Sequence, residues 1–121
     1  MRSGRRLVLV VDDDEMLRRL VRIVLEADDY EVVEASDGAE AIELLSTVEP
    51  DVVVLDVMMP GIDGIETCRR LHAGHVKVVM LTGGRDPQLE SRCREAGADA
   101  FLTKPFSSIH LLDVIEELVP A

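Results

Sequence analysis

Short aliphatic runs alternate with stretches of helical spacing along the whole chain. Leu7 to Val11 is an apolar, β-branched run that fits a strand buried on both faces. Leu17, Leu20, Val21 and Val24 follow at helical spacing, with Asp14 placed to cap the helix N-terminus. Tyr30 to Ala35 predicts a second strand. Ser36-Asp37-Gly38 punctuates it, and Ala39, Ile42 and Leu45 mark a short helix that ends before Pro50. Val52 to Leu55 predicts strand three, followed by a helix from about Ile65 to Leu71 with Ile65, Cys68 and Leu71 facing inward. Val76 to Leu81 predicts strand four. Asp86-Pro87 then supplies an N-cap and a proline at the first helical position, Leu89, Cys93 and Ala96 form a buried stripe, and Gly97 closes the helix. Ala100 to Thr103 predicts strand five, and a last helix carries Leu111, Leu112, Ile115, Leu118 and Val119 before Pro120. This alternation predicts an α/β fold: a single doubly wound, five-stranded parallel sheet with five helices on its two faces. No repeat, linker or second domain interrupts it, so residues 1–121 are expected to form one domain with a core spanning about 7–119.

In open parallel sheets, ligands sit outside the carboxyl ends of the strands. Strand one ends in Asp12, Asp13 and Asp14, strand three in Asp56, strand four in Thr82-Gly83-Gly84 and strand five in Thr103-Lys104-Pro105. Asp56 stands out because it ends a run, Val52 to Leu55, that is otherwise wholly aliphatic. Carboxylates are rarely buried without a partner. Taken singly, Asp14 is a helix cap, Gly83-Gly84 a turn and Lys104-Pro105 a loop. Together, acids, a hydroxyl and an ammonium converge on one edge, where close carboxylates repel unless cations offset them. Asp12, Asp13 and Asp56 would be neutralised by Lys104 and one divalent ion. Oxygen-only donors with no His or Cys beside them favour Mg²⁺, which keeps waters and often holds a phosphate oxygen.

Composition narrows the partners. A formal net charge of −11, from 24 acids against 13 Lys and Arg, argues against direct nucleic-acid binding, since phosphate backbones select basic surfaces. Arg2, Arg5 and Arg6 form the one local basic excess and read as a solvated leader. Aromatic content of 2% is too low for a base-stacking platform. No apolar run is long enough to cross a bilayer, and Leu7 to Val11 is too brief for a signal-peptide core. Cys68 and Cys93 occupy apolar helical positions and read as buried reduced thiols, an isolated disulfide being the alternative without support in the sequence, and a reducing cytoplasm fits. His72, His75 and His110 lack zinc-ligand spacing and are expected at the surface.

The segments "VLVVDDDE", "VVVLDVMMPGIDG", "VVMLTGG" and "FLTKPF", in this order and at compatible separations, resemble the receiver domain of bacterial two-component response regulators. The resemblance runs from about Leu7 to Val119 and implies the flavodoxin-like strand order 2-1-3-4-5. It further implies that Asp56 accepts a phosphoryl group, that Asp13 binds Mg²⁺ directly with Asp12 assisting through water, and that the main-chain carbonyl of Met58 is a further ligand, aimed by the Met59-Pro60-Gly61 turn. Lys104 would pair with the phosphoryl group, and with Asp56 beforehand, across a cis Lys104-Pro105 bond. Thr82 would donate its hydroxyl to a phosphoryl oxygen, coupled to a switch aromatic on strand five. Phe101 stands there without a tyrosine hydroxyl, so a switch would work by ring burial alone, and an ordinary core aromatic is the competing reading. The implied partners are a sensor histidine kinase or phosphotransfer protein and a downstream output domain or protein. Homodimerisation through helix 4, strand 5 and helix 5 is a family option that these residues do not decide.

Such a domain is not an enzyme on outside substrates; it catalyses only its own phosphorylation and dephosphorylation. The chief rival is a haloacid-dehalogenase-like phosphohydrolase, but those carry a second aspartate two residues after the first, where Met58 stands. A nucleotide enzyme is disfavoured because neither a G-x-x-x-x-G-K-[ST] nor a G-x-G-x-x-G motif is present. A silent receiver-like interaction module is disfavoured because every site residue is present. Met58 and Gly84 offer no polar group to orient an attacking water, so slow self-dephosphorylation is expected. Met16 and Ile23 lie off the Leu17/Val24 face and read as either scattered exposed apolars or a docking edge for a histidine-containing kinase domain.

Overall fold

The computed structural model describes residues 5–58, 63–73, 76–84 and 86–120. Its elements run β1 (Leu7–Val11), α1 (Glu15–Ala27), β2 (Glu31–Ala35), α2 (Gly38–Leu44), β3 (Val52–Asp56), α3 (Gly64–Ala73), β4 (Lys77–Thr82), α4 (Pro87–Glu95), β5 (Ala100–Thr103) and α5 (Ser108–Leu118). All strand pairs are parallel, and the sheet order is β2-β1-β3-β4-β5. Helices cover both faces, which is why the central strands are apolar at every position instead of at alternate ones.

Strand alternation divides the core in two. Leu9, Val11, Val53, Leu55, Val78 and Met80 face Ala41, Ile65, Cys68, Leu71 and Cys93 from α2, α3 and α4. Val8, Val10, Val52, Val54, Val79 and Leu81 face Val21 and Leu25 of α1 and Leu111 and Ile115 of α5. Each fully buried aliphatic side chain stabilises by about 1.5–3 kcal/mol, so β1, β3 and β4 are the rigid centre on which the strand ends are mounted.

Helix starts are set by short polar side chains. The Asp14 carboxylate accepts from the backbone N–H of Met16 and Leu17, Asp37 from Glu40, Asp86 from Gln88 and Leu89, and Ser107 Oγ from His110. Gly97 ends the turn after α4 with φ +109°, and a Cβ there would fall 2.2 Å from the His72 ring, so only glycine fits. The elements differ from the sequence expectation mainly at their ends. Asp56 is the last residue of β3 itself, and Thr82 the last of β4. The inner face of α1 is centred on Val21 and Leu25, while Leu20, expected inside, is 56% exposed. The apolar residues of α1 span a broad arc, wider than the sheet covers, and helical spacing alone did not select which part of it turns inward.

Candidate functional site

The acids of β1 and β3 and the lysine after β5 meet at the carboxyl edge of the sheet. β1 and β3 are direct neighbours, with Val11 opposite Leu55, so the next residues, Asp12 and Asp56, end adjacent strands. Asp12 is 1% exposed and Asp56 5%, while Asp13 faces solvent. One carboxylate oxygen from each of Asp12, Asp13 and Asp56 lies within 4.8 Å of the others. Lys104 Nζ stands between the two buried acids, 3.1 Å from Asp12 Oδ2 and 3.3 Å from Asp56 Oδ2. The lysine thus bridges both carboxylates and does not pair with Asp56 alone. Its backbone is tied in as well: the Lys104 N–H donates to the Thr82 carbonyl at 2.7 Å, and the Lys104-Pro105 peptide is cis.

Each remaining oxygen of the buried pair has a backbone donor. Asp12 Oδ1 accepts from the Asp14 N–H at 2.9 Å, and Asp56 Oδ1 from the Met58 N–H at 3.1 Å. Burial and the neighbouring Asp12 push the Asp56 pKa up, against the pull of the Met58 N–H and Lys104, and the net direction is upward. Burial alone would lower the Lys104 pKa, but its hydrogen bond to Asp12 and the charges of both acids outweigh it, and the net shift is upward. The site therefore holds an ammonium firmly ionised beside a carboxylate that is costly to ionise without a further cation.

Thr82 completes the edge. It is buried, and its Oγ1 is the one buried side-chain polar atom without a hydrogen-bond partner among the described residues. An unpaired buried hydroxyl is a donor waiting for an acceptor, because leaving it unmade costs about 1–3 kcal/mol. Phe101 pairs in register with Met80, and alternation puts Thr82 on the same sheet face one pair further along. The Phe101 ring is half-buried, and the Arg94 guanidinium lies over it at 4.5 Å from the centroid. Met58 is exposed, and Gly84 opens onto free space. Met59, Pro60 and Gly61, the expected carbonyl-aiming turn, lie outside the described residues, as do Arg2 and His75.

Two contributors were not singled out from the sequence. Gly64, the first residue of α3, lies so close to the end of β3 that a Cβ would fall 2.6 Å from the Asp56 carbonyl oxygen and the Val57 Cα. Its N–H donates to the Val57 carbonyl at 3.1 Å, pinning α3 beneath the acidic strand end. The second is Arg18, whose NH1 donates to the Asp12 carbonyl at 2.6 Å. Glu34, an acid following Val32 and Val33 within β2, was the available signal, because a charge among aliphatics needs a partner.

The chain is thus a five-stranded parallel α/β domain with an acidic cluster, a bridging lysine and an unpartnered hydroxyl on the carboxyl edge of its sheet. The sequence model of the response regulator receiver domain matches residues 8–116. The chain belongs to that family, the receiver domains of two-component signalling systems. It is 43% identical over 102 residues to the alkaline phosphatase synthesis transcriptional regulatory protein PhoP of Bacillus subtilis, covering 83% of this chain and 42% of PhoP. It is 44% identical over 107 residues to the response regulator MprA of Mycobacterium sp. (strain KMS), covering 87% of this chain and 46% of MprA. The chain thus spans less than half the length of these curated relatives. Among solved structures, the Vibrio cholerae chemotaxis protein CheY4 superposes with a TM-score of 0.90 at 31% identity, over 96% of this chain and 100% of that one. The receiver domain of the Francisella response regulator 1452 does so with a TM-score of 0.86 at 32% identity, over 94% and 96%. Among the described residues no helix is long and apolar enough to cross a membrane.

Proposed function

We propose that residues 1–121 form a single receiver domain in which Asp56 accepts a phosphoryl group from the phosphohistidine of a sensor histidine kinase or phosphotransfer protein. The observation that carries this reading is the buried Asp56, bridged to Asp12 by Lys104, on the same edge as the unpartnered Thr82 hydroxyl. An oxygen of Asp56 attacks phosphorus; its O–P bond forms as the P–N bond breaks, and the imidazole nitrogen leaves with the electron pair and takes up a proton. The end of β3 holds the nucleophile in one direction, and the Met58 N–H occupies Oδ1. Lys104 offers its ammonium to the transferred group, and Thr82 offers its hydroxyl to a phosphoryl oxygen. The donor set suits Mg²⁺, because the cluster presents only oxygens and one ammonium cannot offset three carboxylates. Asp13 would hold the ion directly, with Asp56 and the Met58 carbonyl, and Asp12 through water. Bound there, it would neutralise charge on the phosphoryl oxygens.

Thr82 is drawn toward the new oxygens in this reading, vacating space on the face it shares with Phe101, and the ring follows. That motion would alter the α4–β5–α5 surface, the natural contact for an output domain or for a second copy of the chain. PhoP is by name a transcriptional regulatory protein, which supports an output that acts on transcription. The donor would dock on α1, where Met16 is exposed and where Leu20 and Ile23, also exposed, line a groove of about 570 Å³ with Leu17, Pro105 and Phe106. In this reading the domain works in the cytoplasm, where such kinases deliver phosphate. Incubation with acetyl phosphate should add one phosphoryl group to the intact mass only with Mg²⁺, and none to Asp56→Asn. Hydrolysis of added phosphate esters without that gain would instead support a phosphohydrolase.

A further inference from the structure

The peptide joining Asp12 to Asp13 is gripped from outside the acidic cluster. Asp12 N–H donates to the Ala35 carbonyl at 3.2 Å, which extends the β1–β2 ladder one residue past β1. Asp12 C=O accepts from Arg18 NH1 at 2.6 Å. The same guanidinium donates through Nε to Glu34 Oε1 at 3.1 Å, and its side chain is only 15% exposed. Glu34 is held in turn on its other oxygen by Arg22 NH1 at 2.6 Å, and Arg22 NH2 donates to the Val32 carbonyl at 3.1 Å. Partial burial works to raise the Glu34 pKa, but hydrogen bonds from Arg22 and Arg18 outweigh it, so this anchor stays ionised. The chain of contacts therefore runs from β2 through Glu34 and Arg18 to the carbonyl between the two acids.

We propose that Arg18, braced by Glu34, is a positioning residue that sets the plane of the Asp12–Asp13 peptide and so the geometry with which the acidic cluster binds Mg²⁺. The inference rests on the Mg²⁺ reading of the site. Mg²⁺ demands near-ideal octahedral oxygen geometry, so a small rotation of this peptide moves Asp13 away from where the ion needs it. Partners that orient ligands in this way are worth about 10–100-fold in metal affinity. Lysine cannot fully replace the fork, because the donors of an ammonium all leave one nitrogen, whereas Arg18 reaches Glu34 through Nε and the Asp12 carbonyl through NH1.

The sign of the effect separates positioning from simple charge. Arg18 is a cation near a cation site, so on Coulomb's law alone its removal should tighten Mg²⁺ binding. Positioning requires the opposite. We would titrate MgCl₂ into the protein and follow the backbone amide signals of Asp13 and Met58 by NMR, which also reports whether each variant is folded. Arg18→Met should weaken Mg²⁺ binding about tenfold. Arg22→Met, which loses a Glu34 contact but does not touch Asp12, should leave binding nearly unchanged while lowering thermal stability. Arg18→Lys should recover only part of the affinity; should Arg18→Met fail to fold, the result with Arg18→Lys decides. Unchanged or tighter binding in Arg18→Met, or full recovery in Arg18→Lys, would overturn the proposal. Absence of Mg²⁺ binding by the unaltered protein would instead overturn the site reading, and this inference with it.

Discussion

At the scale of single residues, the site sets three carboxylates against one ammonium. Asp56 carries a raised pKa because burial and Asp12 oppose its ionisation more than Met58 and Lys104 favour it. An acid whose folded pKa lies above its unfolded value contributes stability that is full below the unfolded value, about 3.9, and is lost as pH rises through the folded one. Asp56→Asn should therefore raise the thermal midpoint of the metal-free protein by a few degrees at neutral pH. The gap should close on acidification toward the ordinary carboxylate range, as thermal unfolding at a series of pH values would show. Under the proposed function, Met58 and Gly84 bear on the lifetime of the phosphoryl group instead. Both positions are open to solvent, and neither presents a group to hold a water for attack on phosphorus. Met58→Asn should shorten the phosphoryl lifetime severalfold, measured by loss of the added mass after removal of the phosphodonor.

At the scale of elements, the strand ends are held by close packing beneath them. Gly64 lets α3 begin against the backbone of Asp56 and Val57, and there is no flexible side chain in that contact to give way. Gly64→Ala should destabilise by about 2 kcal/mol, seen as a lower denaturation midpoint, and should slow phosphorylation by acetyl phosphate because the end of β3 must shift. Helices α3 and α4 meet through Cys68 and Cys93, both free and buried, with Cys68 Sγ 3.8 Å from the Ala96 carbonyl. Burial pushes the Cys68 pKa up to about 12 and raises that of Cys93. Neither thiol should react with a disulfide reagent at mildly alkaline pH in the folded protein, and the labelling rate should rise only as denaturant opens α3 and α4.

At the scale of the whole molecule, a sheet buried on both faces carries its chemistry on one rim. The two core clusters leave β1, β3 and β4 little freedom, so charges at their ends keep fixed separations. Mutual repulsion among Asp12, Asp13 and Asp56 should make the domain more stable with metal than without. Mg²⁺ at 100 times its dissociation constant should raise unfolding stability by about 2.7 kcal/mol, and chelation should reverse the shift in thermal midpoint.

The order of strands and helices was legible in the sequence because period and run length are local properties. Val52 to Leu55, short, valine-rich and unbroken by polar residues, reads as a strand covered on both sides, and Asp14 and Asp86 announce the starts of α1 and α4 by their own hydrogen-bonding chemistry. The acids and the lysine were legible as a group because a parallel sheet sends every strand end to one rim. What only the tertiary structure decided depends on which surfaces meet. The face of α1 that turns inward, and so exposes Leu20, follows from where the sheet lies. Lys104 bridges Asp12 as well as Asp56 because adjacent strands set those carboxylates side by side. Glu34 became the brace of Arg18, and Gly64 the floor under Asp56, through contacts between elements that no periodicity records. Local chemistry names the parts, and the distances between parts come from packing.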